Sequence, residues 1–208
     1  MRNQNATIVC LATGPSLTAE DCDYVRGCGV FTIAVNDAHR LAPWASMLYS
    51  SDRQWWRHYR GVPSFAGPKA SIGSGIGKKN PIREYPAIQV FKNTGYSGLE
   101  LDPDGLRNGK NSGFAAVNLA VHLGAKRIVL LGYNMGTPGG RTHFFGDHPH
   151  GLQNQPWLHQ TFRRQFETMV EPLKAIGVEV INCTENTSLT AFPCASLRDV
   201  LKAKAVAA

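Results

Sequence analysis

The stretch NSGFAAVNLAVHLGAKRIVLLGYNMG, residues 111–136, reads as a polar turn, a helix, a short turn and a buried strand. Phe114, Ala115, Leu119, Ala120 and Leu123 recur at helical spacing and give the predicted helix one apolar face. Gly124 is the expected stop, with Lys126 and Arg127 near the negative end of the helix. The run IVLL at 128–131 is continuously apolar, as in a parallel strand covered on both faces. It ends in Gly132, Tyr133, Asn134, Met135 and Gly136. In open α/β sheets, ligands collect beyond the carboxyl ends of strands, and the backbone N–H groups of residues 111–113 open the helix toward an anion. The expected fold class is α/β: Rossmann-like, a mainly parallel sheet with helices on both faces.

Upstream, ATIVCLA at 6–12 is an apolar strand that runs into Gly14, Pro15, Ser16 and Leu17. Thr18 then caps a helix whose first turn carries Glu20 and Asp21. Strand, glycine turn and helix start form a first βα unit able to meet a phosphate, although the turn has one glycine and is not GxGxxG. A second strand at 30–35 ends at Asn36 and Asp37, and a third at 46–50 ends at Ser51 and Asp52. Asn36 and Asp52 are placed either to face a ligand or to cap the next helix. Trp55, Trp56 and Tyr59 follow in a short helix and read as packing, with base stacking as the alternative.

Between 61 and 109 the pattern weakens into a loop-rich insert or lid within one domain spanning 1–208. Gly73, Gly75, Gly77 and Lys78 suggest a P-loop, but Lys79 stands where Ser or Thr is required and Ile72 where the first glycine is. AIQVF at 87–91 is the one strand expected there. After the central unit, HFFGDHPH at 143–150 holds three histidines. Three readings stand: a metal site using His143, His148 and Asp147; a general acid/base histidine; and a polar loop. A helix is expected over 155–176, with Pro172 as a break near its end, then a strand at 177–182 and a closing helix at 196–203.

The 208 residues are 43% hydrophobic and carry a net charge of +7, which suits a nucleotide, a polyanion or DNA as partner. The five cysteines, at 10, 22, 28, 183 and 194, form no CxxC pair and read as buried free thiols. No apolar run approaches a membrane span, and no signal peptide is evident, so a soluble cytoplasmic protein is expected.

Taken together, GPSL at 14–17, Asn36, Ser51-Asp52, NSG-helix-LGAKRIVLLG at 111–132, HFFGDH at 143–148 and VEVINCTENTSL at 178–189 resemble a known superfamily. It contains the domain-of-unknown-function 115 proteins and the archaeal 6-hydroxymethylpterin diphosphokinase-like enzymes, and it is related to the bacterial sialyltransferases of glycosyltransferase family 42. The chain is similar in size to small phage-encoded members. The likeness covers most of the chain outside 61–109. It implies nucleotide or nucleotide-sugar binding at Gly14, Pro15, Ser16 and Asn36, at the third strand end, Ser51 and Asp52, and at Asn111, Ser112 and Gly113. It implies a catalytic base at His143, with His148 close behind. Thr13 stands where the sialyltransferases prefer Asn, and Ser51-Asp52 where they place Asn.

Two chemistries follow from the resemblance. In glycosyl transfer a donor phosphate leaves while a histidine takes the acceptor proton, with no metal ligand assigned. In diphosphate transfer from ATP, Mg²⁺ bridges phosphate oxygens and Asp37, Asp52 or Asp147 must ligate it. A third reading is a nucleotide-binding phage protein without turnover. A phage source would place the protein in the host cytoplasm and make a modified base in DNA a candidate acceptor. The oligomeric state is left open.

Overall fold

The computed structural model describes residues 6–147 and 158–202. Its centre is one sheet of eight parallel strands: β1 (Ala6–Leu11), β2 (Phe31–Val35), β3 (Met47–Tyr49), β4 (Lys69–Ile72), β5 (Ile88–Asn93), β6 (Gly105–Leu106), β7 (Ala125–Leu131) and β8 (Glu179–Asn182). Their spatial order is β6-β5-β4-β3-β2-β1-β7-β8. The chain therefore builds outward from β1 in one direction, then returns to place β7 on the other flank of β1, in register from Thr7↔Arg127 to Leu11↔Leu131.

Both faces are covered, by α1 (Ala19–Cys28), α2 (Arg53–His58), α3 (Ser112–His122), α4 (Leu158–Glu167), α5 (Val170–Ala175) and α6 (Leu197–Val200). Strand alternation separates two cores. Ile8 and Cys10 of β1 pack with α3 and with Phe166, Met169 and Leu173 of the α4–α5 segment. Val9 and Leu11 pack with Cys22 and Val25 of α1, with Trp55 and Trp56 of α2, and with Leu197 of α6. Trp55 and Trp56 are interior, with their indole N–H groups donating to Asp37 Oδ2 and the Ser50 carbonyl.

The central unit departs from a simple amphipathic helix. All residues of α3 from Gly113 to Ala120 are buried, because the sheet covers one side and α4 lies on the other. Asn118, in the middle, satisfies its polar groups by bonding the backbone of Glu100 and Arg107. Lys126 and Arg127 are the exposed second and third residues of β7, and Arg127 pairs with Glu179 across to β8. The helix expected over 155–176 is two helices. Pro172 has no N–H to give the Thr168 carbonyl, and the turn at 168–169 closes by shorter bonds from Thr168 N to Gln165 O and Met169 N to Phe166 O. Residues 155–157 lie outside the described part.

The stretch 61–109 contributes three strands to the same sheet. Its glycine loop at 73–78 folds back on itself, with Gly77 N bonded to Asn93 O and Asn93 N to Lys78 O. Of the five cysteines, Cys194 departs from expectation by being exposed.

Candidate functional site

Four strand ends converge on one cavity of about 310 Å³. Its walls include Ala12 to Gly14 after β1, Val35 and Asn36 after β2, Ser51 and Asp52 after β3, and Gly132 and Asn134 to Gly136 after β7. The turn into α3 supplies Asn108 and residues 110–113; Thr142 and His143 close one side and His159 and Phe162 of α4 another. The position follows from topology. Between β1 and β7 the chain reverses its direction of travel across the sheet, and a crevice forms at such a switch point.

The first turn of α3 faces this space. Asn111 is the cap, its Oδ1 accepting from Phe114 N, and Ala115 N bonds the Asn111 carbonyl. That leaves the N–H groups of Ser112 and Gly113 as helix-start donors without an intrahelical acceptor. Ser112 Oγ accepts from Ser51 N at 3.0 Å, so the β3 end and the helix start are fixed together.

The GPS turn behaves differently. Gly14 N donates to Gly132 O, Leu17 N to Gly14 O, and Ser16 donates both N–H and hydroxyl to Asn134 Oδ1. Its backbone donors are thus engaged within the protein. Gly14 lines the cavity; Pro15 and Ser16 do not, and Ser16 borders a separate hollow beside α6. A Cβ on Gly14 would collide with Asn134 Oδ1 and Gly132 O, and one on Gly132, at φ +73°, with Ala12 O. These glycines allow the ends of β1 and β7 to touch.

Asn36 is left-handed at φ 50°, its carbonyl bonded to His39 Nδ1, and its buried Oδ1 has no hydrogen-bond partner among the described residues. It caps nothing with its side chain. Asp52 does cap α2, through Oδ1 to Gln54 N at 2.7 Å, while also lining the cavity. His143 Nδ1 lies 3.0 Å from Thr13 Oγ1, and its ring stacks on Phe145 at 5.1 Å. His148 lies outside the described residues.

Sequence reasoning passed over several of the lining residues, among them Asn134, Lys110, His159 and Phe162. Asn134 is buried and joins the β1 turn to the Glu185 carbonyl through Nδ2. Lys110 is the one Lys or Arg among the described residues that line the cavity. His159 and Phe162 come from α4, whose sequence reads only as a packing stripe. Burial, followed by the charge of Arg163, lowers the His159 pKa from its ordinary value. A polar residue just past an apolar strand was the available signal for Asn134; nothing local marks the other three.

The carboxylates required for a Mg²⁺ site are dispersed. Asp37 is buried against Trp55, Asp52 caps α2, and Asp147 accepts from Thr142. Among the described residues, no three His, Cys, Asp or Glu side chains come together to hold a metal ion. No helix among them is long and apolar enough to cross a membrane.

Comparison with protein-family models finds no match, and neither does comparison with curated proteins. Among solved structures, the chain is similar to the MAf glycosyltransferase from Magnetospirillum magneticum AMB-1, with a TM-score of 0.62 and 11% identity. The alignment takes in 97% of this chain but 36% of that one, so the likeness establishes a shared fold over about a third of the larger protein.

Proposed function

We propose that the cavity binds the nucleotide of a nucleotide-sugar and that the protein is a glycosyltransferase-like enzyme. The observation that carries this reading is the pairing, across one cavity, of the open first turn of α3 with a histidine from the loop after β7. Fold likeness to a glycosyltransferase supports the class of reaction.

In this reading the donor phosphate sits on the N–H groups of Ser112 and Gly113, where the helix dipole favours negative charge. Asn111, Ser51 and Asp52 hold that turn and its neighbour in place. Asn36 Oδ1, an acceptor without a partner among the described residues, receives a donor from the ligand. Gly14 forms the wall against which the ligand lies. Pro15 and Ser16 act from behind it, by fixing Asn134. His143, oriented through Nδ1 by Thr13, takes the acceptor's hydroxyl proton. The acceptor oxygen bonds to the anomeric carbon as the bond from that carbon to the phosphate oxygen breaks, and the phosphate leaves with the electron pair.

Calorimetric titration with CMP-, UDP- and GDP-sugars, each with and without Mg²⁺, tests the reading. One of them should bind equally well in both conditions. His143→Ala should keep that affinity and lower turnover by about 10²–10⁴-fold. Binding of ATP alone, and only with Mg²⁺, would instead favour diphosphate transfer; no binding at all would refute the nucleotide site.

A further inference from the structure

Lys110 is set apart by three observations. Its backbone is left-handed at φ 56°, a conformation that a non-glycine residue adopts only where its surroundings impose it. It lines the cavity immediately before the α3 cap. Its ammonium has no carboxylate partner among the described residues, and lies 5.4 Å from the centroid of the Tyr96 ring.

Tyr96 is itself unusual. Large apolar side chains are overwhelmingly interior here, yet Tyr96 is 40% exposed. It is not on a free-swinging loop. Gly95 N donates to Asn93 Oδ1, Gly95 O accepts from Asn108 N, and the next residues bond α4 through Ser97 Oγ to Gln165 and the turn after it through Gly98 N to Thr168 Oγ1. Asn108 Oδ1 in turn accepts from Lys110 N. Asn108 therefore ties the backbone that carries the ring to the backbone that carries the cation; Lys110 lines the cavity where an anion is expected, whereas Tyr96 is outside its lining and is linked to it through Lys110.

We propose that Tyr96 is the stacking platform for the nucleobase of the bound nucleotide, and that Lys110 covers this platform until the phosphate draws its ammonium into the cavity. The inference rests on the nucleotide reading above and adds the base subsite to it. The physical exchange is direct. A cation over an aromatic face is held weakly in water, whereas an ammonium beside a phosphate at a helix start gains a full opposite charge. Once Lys110 leaves, the Tyr96 face is open to a base, and stacking of this kind tolerates any base.

The test is titration of the full chain with UDP, GDP and CMP, and separately with inorganic pyrophosphate. Tyr96→Ala should weaken the best-binding nucleotide about tenfold and leave pyrophosphate binding undiminished, since it also frees Lys110 from the ring. Tyr96→Phe, which keeps the ring, should bind the nucleotide like wild type. Lys110→Met should weaken nucleotide and pyrophosphate alike. A Tyr96→Ala protein that binds the nucleotide as tightly as wild type, or loses pyrophosphate to the same degree, overturns this inference and leaves the nucleotide site standing. Failure of wild type to bind any of these nucleotides overturns both.

Discussion

Replacing Gly14 by alanine separates a structural role for this glycine from a ligand-binding one. Gly14 does not have positive φ, so alanine can take its backbone conformation. The whole effect lies in contacts. The new methyl would sit closer than 3.0 Å, a separation Cβ atoms essentially never show, to both Asn134 Oδ1 and Gly132 O. Gly132 O cannot retreat without lengthening the 2.8 Å bond from Gly14 N, and the Asn134 side chain cannot turn without releasing Ser16. Overpacking costs about 1–3 kcal/mol. A buried polar group left without its partner costs about 1–3 kcal/mol. Loss of glycine's freedom in the unfolded chain returns about 0.4–1 kcal/mol. The net expectation is a loss of about 3 kcal/mol, a large share of a typical domain's stability. Urea unfolding followed by fluorescence of the buried Trp55 and Trp56 would report it as a midpoint lower by about 1–2 M. A midpoint within about 0.3 M of wild type, combined with lost nucleotide affinity, would refute the reasoning and return Gly14 to the ligand.

Two further outcomes are expected. The His159 pKa is lowered in the folded state, so between the folded and unfolded values the unfolded chain binds more protons; stability is whole above about pH 6.5 and declines as pH falls below it. His159→Gln should flatten that decline in urea midpoints measured from pH 7.5 to 5.5, and an identical slope in both proteins would contradict it. Ellman's reagent should titrate one thiol per chain in the native protein, Cys194, and five after unfolding; rapid reaction of two or more native thiols would mean that Cys10, Cys22, Cys28 and Cys183 are less protected than the packing indicates.

The parts of the fold that were legible in the sequence are those where local chemistry and final environment agree. ATIVCLA and IVLL are apolar enough to require cover on both faces, and Thr18 and Asn111 cap the helices that they precede. Strand β4 was hidden because Lys69 and Ser71 interrupt its apolar character, and β6 because two residues carry no period. The split between α4 and α5 was partly visible in Pro172, but the tight turn at 168–169 depends on how Phe166 and Met169 are buried. In the candidate site, strand-end polar residues could be found by position. His159 and Phe162 could not, because what brings them to the cavity is α4 lying over α3, a contact between segments about 50 residues apart, and Lys110 could not, because its left-handed backbone just before the α3 cap has no glycine at that position to announce it. The glycine of the GPS turn, which lines the cavity, has in addition a packing role that its sequence context did not announce: it lets two backbones meet.

The flanking of β1 by β2 and β7 also governs when the protein can fold. The partner strand β7 is synthesised more than a hundred residues after β1. At ribosomal rates of about 5–20 residues per second, β1 waits roughly ten seconds with one edge unpaired. The bonds that set the Gly14–Ser16 turn, to Gly132 O and Asn134 Oδ1, cannot exist during that interval. A nascent chain stalled before residue 125 should thus present an apolar, unpaired strand edge to chaperones, and the cavity at the strand ends can be completed only after β7 has emerged.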